Sequence, residues 1–226
     1  MICVSLVGTF HDEKGLATVS ELHKILTHLR PQVIFLEVPP TALEGYLNAH
    51  GHRTLESKAV ELYQEQNTVE LIPVDLPTPD LNFFENGKYL HNRIEQASPD
   101  FCRLSDWNSN YVRQYGFAYL NSKYCTKMWS DLDQEMAATV ARLDEPRLFE
   151  LHETWTQMID RRDVEMLKNI LKYARSTNFE RGAFLVGASH RRSIIKKSRG
   201  GNVASLTNIQ WNYLDAIEQE DSPSSA

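Results

Sequence analysis

Three short strand-like apolar runs alternate with helical patterns across the first 75 residues, and no other feature of the chain restricts its fold as much. Residues 2–8 are apolar and β-branched and end in Gly8, the pattern of a buried strand. Residues 15–29 place Leu16, Val19, Leu22, Ile25, Leu26 and Leu29 at spacings of three and four, which is an amphipathic helix. Pro31 ends it and introduces a second buried strand, Val33-Ile34-Phe35-Leu36-Glu37-Val38, which Pro39-Pro40 stops. Helical segments are expected over residues 41–49 and 54–66, and Val69-Glu70-Leu71-Ile72-Pro73-Val74 is a third strand. Strand–helix–strand–helix–strand is the signature of a parallel sheet with helices on its faces.

From residue 79 to 178 no strand pattern stands out. Leu148, Leu151, Trp155, Met158, Ile159, Met166, Leu167, Ile170 and Leu171 form one stripe of a long helix running from Arg147 to Arg175. Ala183-Phe184-Leu185-Val186-Gly187 is a fourth buried strand, and Val203-Ala204-Ser205-Leu206 a weak fifth. The expectation is one α/β domain over residues 1–220, with a mainly parallel central sheet flanked by helices. Its core is residues 1–78 and 180–215, interrupted by a helical insert over about 79–178, and a polar tail at 221–226 has nothing to bury.

A net charge of −6 argues against nucleic-acid partners, which need a broad basic surface. One basic run, Arg191, Arg192, Lys196, Lys197 and Arg199, reads either as a solvated helix face or as a positive patch beside a site for an anionic substrate. Cys3, Cys102 and Cys125 are odd in number and widely spaced, which suits small core residues in a reducing compartment. The apolar N-terminus lacks a basic leader and a cleavage site, and no run of 18 apolar residues occurs. A cytoplasmic protein without a membrane partner is the expectation; the sequence does not address its oligomeric state.

Two strands end alike. The first closes Val7-Gly8-Thr9-Phe10-His11 and the fourth Val186-Gly187-Ala188-Ser189-His190. Ligands of parallel α/β sheets bind just beyond the carboxyl ends of the strands. Glycine allows a sharp turn or a close approach there, and a histidine three residues on can ligate a metal, act as a base or position a substrate. Glu37 ends the second strand after a fully apolar stretch, where a carboxylate is costly unless paired or bound to a cation. Asp75 closes the third strand as either a turn cap or a site residue. Arg162 lies four residues after Met158 and four before Met166, so it shares their apolar stripe, while Arg161, Asp163 and Glu165 are expected to point away. A buried-face arginine needs an acidic partner or an anionic ligand.

Four stretches, Leu6-Val7-Gly8-Thr9-Phe10-His11, Phe35-Leu36-Glu37, Arg162-Asp163-Val164-Glu165-Met166 and Phe184-Leu185-Val186-Gly187-Ala188-Ser189-His190, resemble the TraB/PrgY–GumN superfamily. That superfamily takes in Tiki-like proteins and is related to erythromycin esterase-like and ChaN-like proteins. The resemblance implies an erythromycin esterase/ChaN-like α/β core with His11, Glu37, Arg162 and His190 at one catalytic site. On that reading His11, Glu37 and His190 hold a divalent metal ion such as Mn, Co or Zn, and Gly8, Gly187, Asp75 and Arg191 adjoin the substrate. The expected function is metal-assisted hydrolysis of a small-molecule or peptide substrate carrying an anionic group, by a peptidase or esterase-like activity. A metal-free general-base hydrolase uses the same residues equally well. A haem or iron binder and a non-catalytic regulatory module are the alternatives. The absence of a leader and of membrane helices departs from the secreted and membrane branches of the superfamily.

Overall fold

The computed structural model describes residues 1–47, 53–200 and 209–214. Five strands, β1 (Ile2–Thr9), β2 (Val33–Leu36), β3 (Glu70–Pro73), β4 (Arg181–Gly187) and β5 (Ile209–Asn212), form one sheet in the order β3-β2-β4-β1-β5. Every paired neighbour is parallel. Helices α1 (Val19–Leu29), α2 (Leu43–Leu47) and α3 (Leu55–Gln64) lie between the first three strands, and α8 (Arg191–Arg199) follows β4. Between β3 and β4 come α4 (Leu81–Ala97), α5 (Pro99–Leu120), α6 (Lys123–Leu143) and α7 (Pro146–Ser176). This is the expected α/β class: a parallel sheet flanked by helices, with a helical insertion.

Successive residues of the strands enter different cores. Val7, Ile34, Leu36 and Leu185 pack with α1 and α3, through Leu22, Leu26, Ala59 and Val60. Their neighbours Leu6, Phe35, Phe184 and Val186 pack with Met166, Leu167 and Ile170 of α7 and Ile194 of α8. Both faces of the sheet are therefore covered, which is why its strands read as continuous apolar runs. The insert has a core of its own, built from Leu90 and Ile94 of α4, Phe101 of α5, Leu132, Met136 and Val140 of α6, and Leu148 of α7. α7 is the joint between the two bodies: its first turns pack in the insert and its later turns on the sheet.

Local chemistry moves several boundaries. The expected helix at 15–29 starts only at Val19, where the Thr18 hydroxyl accepts the Glu21 N–H. Before it, Lys14 and Ala17 exchange backbone hydrogen bonds around Gly15 at φ 58°, so Leu16 is exposed in a turn and leaves the helix stripe. β2 stops at Leu36 because Val38 N–H turns back to the Leu36 carbonyl at 2.7 Å, ahead of the two prolines. Glu37 therefore sits on a turn beyond the strand. The weak strand expected at Val203–Leu206, the end of the 41–49 helix and the 221–226 tail lie outside the described residues. β5, at Ile209–Asn212, was not expected. No helix among the described residues is long and apolar enough to cross a membrane.

Candidate active site

Glu37 is the hub at the carboxyl edge of the sheet. Its Oε2 accepts the Gly187 N–H at 2.7 Å, from the residue that ends β4. Its Oε1 accepts from Arg162 Nη2 at 2.6 Å and faces His190 Nε2 at 3.2 Å. Burial alone would push the carboxyl up. The charge and hydrogen bond of His190, with Arg162 and the Gly187 N–H, outweigh burial and hold it well below the usual carboxylate range. Arg162 is itself divided between two carboxylates: its Nε lies 3.2 Å from both oxygens of Asp75, and Nη2 donates to Asp75 Oδ2 at 2.6 Å. Asn169, two turns further along α7, donates to the Val74 carbonyl at 2.9 Å and ties the helix to the end of β3.

His190 sits in the turn leading into α8, with its N–H on the Gly187 carbonyl at 2.9 Å. Its Nδ1 meets Asp163 Oδ1 at 2.6 Å. Burial opposes a charge on this ring, but Glu37 and Asp163 override it and raise the imidazole to about 10, so His190 is an imidazolium at neutral pH. The expectation that Asp163 points away from the core is corrected here: Asp163 is 0% exposed. It precedes Leu167 by four residues and Ile170 by seven, so it shares their face, and the stripe centred on Met158 and Met166 was drawn too narrowly.

His11 occupies a different position. It lies past the end of β1, its side chain is 66% exposed, and its Nδ1 stands 3.2 Å from Glu56 Oε1. The same oxygen accepts the Thr9 hydroxyl at 2.7 Å. The hydrogen bond to Glu56 raises the His11 pKa above its ordinary 6.5, against the effect of burial. Glu56 comes from the first turn of α3, and Thr54 caps that helix by accepting the Ser57 N–H. Sequence reasoning passed over Glu56, although it precedes Val60 by four residues and Tyr63 by seven and so lies on the buried face of α3. A cavity of about 120 Å³ opens between these groups, lined by Thr9, His11, Glu37, Tyr46, Thr54 and Glu56 over an apolar floor that includes Leu36 and Leu185. His11 and Glu37 thus face one space, and His190 reaches it through Glu37.

The remaining expected residues act from behind. Gly8 exchanges two hydrogen bonds with the Asn121 side chain, and a Cβ there would stand 2.9 Å from the Leu120 carbonyl oxygen. Its smallness lets the end of α5 seat against β1. Asp75 holds Arg162, and Gly187 holds Glu37. Arg191 is not on an exposed patch: it is buried, and its guanidinium donates to the Tyr213 carbonyl. Lys197 pairs with Asp160, and Arg199 lies over the Tyr213 ring. The basic run is largely spent on structure.

The expected metal set does not fit this arrangement. His190 is engaged with a carboxylate on each side, Asp163 at Nδ1 and Glu37 at Nε2, an arrangement that favours its protonated form over a metal-binding one. Glu37 Oε1 is shared by Arg162 and His190, while Oε2 accepts the Gly187 N–H. Among the described residues no three His, Cys, Asp or Glu side chains are grouped to hold a metal ion.

No family model and no curated protein matches the chain, so the TraB/PrgY–GumN resemblance rests on its motifs. Two solved structures show weak similarity. A mutant of the erythromycin esterase EreC in its open conformation is 12% identical, with a TM-score of 0.34, over 81% of this chain and 60% of that one. A Bacillus cereus protein is 15% identical, with a TM-score of 0.31, over 81% of this chain and 56% of that one. The chain spans less than two thirds of either structure. Likeness at this level carries no functional argument.

Proposed function

We propose that the chain is a hydrolase of ester or peptide bonds in which His11 is the general base. The carrying observation is the His11–Glu56 pair at the mouth of a cavity whose opposite wall is the fixed carboxylate of Glu37. With Nδ1 hydrogen-bonded to Glu56, Nε2 is the nitrogen that takes a proton. Water bound in the cavity loses a proton to Nε2 as its oxygen bonds to the acyl carbon. The acyl–oxygen or acyl–nitrogen bond then breaks, and the same proton passes to the departing alkoxide or amine. Glu56 orients the ring and stabilises its protonated form, and the Arg162–His190 pair fixes Glu37. Metal-assisted chemistry, suggested by the motifs, would require His190 to give up a proton and its contact with Glu37, and no step is assigned to it.

The test is a panel of activated esters and peptides assayed across pH with and without a chelator. Activity should rise with pH as His11 deprotonates, with a midpoint above 6.5 because Glu56 raises that group. His11→Gln should lose about 100-fold or more. Arg162→Lys should lose most activity because an ammonium cannot bridge Asp75 and Glu37 as the planar fork does, while exposed Arg161→Lys should be silent. Chelation should change nothing. Full activity in His11→Gln would remove the reading; activity that chelator abolishes and zinc or manganese restores would move it to the metal version.

A further inference from the structure

The outward face of α5 takes no part in the site, and its composition is unlike that of a solvated helix. Arg103, Trp107, Tyr111 and Tyr115 follow one another at intervals of four, so their side chains form a single ridge along the helix. Trp107 is 48%, Tyr111 40% and Tyr115 54% exposed. α5 seats itself on the rest of the protein through other residues, among them Phe101, Asn108 and Val112, which are buried. Three half-exposed aromatic rings in succession, headed by an arginine, are the residue types that concentrate at the centres of protein–protein contacts.

The ridge is ordered within the single chain. The Arg103 guanidinium lies 5.4 Å from the centre of the Trp107 ring and is tied to Asp100 at 2.9 Å. Tyr111 stacks on Tyr115 with ring centroids 6.0 Å apart, and on buried Tyr119 at 5.4 Å. Side chains already held in place lose little conformational freedom on association. A second exposed ridge, Asp106, Asn110 and Gln114, runs beside the first and leaves a groove between them. In the commonest class of helix pair, ridges of this four-residue spacing from both helices interdigitate at about −50°.

The spacing makes this face complementary to itself. A twofold axis crossing α5 at Ser109 sets Trp107 of one copy against Tyr111 of the other, and Arg103 against Tyr115. Ring then meets ring at the centre, and cation meets ring at both ends. Formal charge is balanced over residues 99–115, where Asp100 and Asp106 answer Arg103 and Arg113, although the whole chain carries −6. Two copies therefore meet there without the like-charge cost that the chain as a whole would impose. We infer that α5 is a homodimer interface, in which the Arg103–Trp107–Tyr111–Tyr115 ridge packs antiparallel on the same ridge of a second copy. The three half-exposed rings offer about 300 Å² per copy, short of the roughly 800 Å² per partner of a tight complex. The dimer is accordingly a weak one, with a Kd of about 10–100 μM.

The test is analytical ultracentrifugation of the full chain at pH 7 from about 1 to 500 μM, a range that brackets the expected Kd. The mass should double across it. Trp107→Ser and Tyr111→Ser should each raise the Kd by about tenfold or more, and Arg103→Ala by about threefold or more. Phe84→Ser, which removes a comparably exposed ring from α4, should leave it unchanged. In the unaltered protein, NMR shifts that depend on concentration should centre on residues 103–115, a readout that stands even if a variant fails to fold. A chain that stays monomeric throughout would overturn the inference. So would a dimer that Trp107→Ser or Arg103→Ala leaves unchanged, one that Phe84→Ser weakens equally, or shifts centred on another element. The inference rests on α5 alone, so the outcome of the hydrolase assays does not bear on it.

Discussion

His190 shows how one side chain links the site to stability. Its folded pKa of about 10 lies above the ordinary 6.5, so its contribution to stability is whole below pH 6.5 and is lost as pH rises through 10. Glu37 behaves oppositely: held below its ordinary 4.5, it contributes fully above that value and loses its contribution as pH falls. The pair therefore supports the fold best between those limits. Asp163→Asn keeps the shape but removes one of the two charges that retain the His190 proton. It should cost about 1–3 kcal/mol at pH 7 and flatten the fall in stability between pH 7 and 10. Urea midpoints at three pH values would measure both effects, and an unchanged alkaline slope would show that Asp163 does not hold that proton. The residue scale also explains two omissions. The helical spacing that singles out Arg162 places Asp163 and Glu56 on buried faces as well. A carboxylate amid polar neighbours reads as solvated until the partner that neutralises it is known.

At the scale of elements, the loop that carries His11 is anchored by close backbone contact. Leu16 N–H donates to the Arg113 carbonyl at 2.9 Å, and α5 kinks nearby at Gly116, where φ is 52°. Gly15 is at φ 58°, and a Cβ there would fall 2.2 Å from the Arg113 carbonyl oxygen. Gly15→Ala would need both a strained backbone and displacement of α5. It should cost about 1–3 kcal/mol and lower activity by loosening His11. Gly45→Ala, in α2 with nothing near its Cβ, should be neutral or stabilise by up to about 1 kcal/mol. Thermal unfolding of the two variants checks the contrast, and equal midpoints would mean the loop is free of α5. The order Gly-x-x-His was legible in the sequence. That Gly8 serves packing while Gly187 serves Glu37 was not, because the two motifs are alike in sequence and differ only in which helix or side chain lies against them.

Across the whole molecule, α7 joins a helical body with its own core to the sheet that carries the site. Trp155 stacks on Phe83 with ring centroids 5.3 Å apart and packs, half-buried, against the insert core. Trp155→Ala should destabilise the protein by about 1–3 kcal/mol yet leave activity intact at low temperature, because the later turns of α7 keep their seat on the sheet. Loss of activity before loss of fold would show that the insert sets the position of Arg162. Sequence alone determined the parallel sheet, the helices packed on it and the insertion, because the periodicity of burial is written in the spacing of apolar residues. It also brought His11, Glu37, Arg162 and His190 forward, because polar residues at the ends of buried strands or on an apolar stripe stand out locally. Tertiary structure alone decided what surrounds each of them. Whether a histidine is a metal ligand, a base or a clamped cation depends on carboxylates 27 and 45 residues away in the chain, Asp163 for His190 and Glu56 for His11. Electrostatic character follows distance in space, and spacing along a sequence does not encode it.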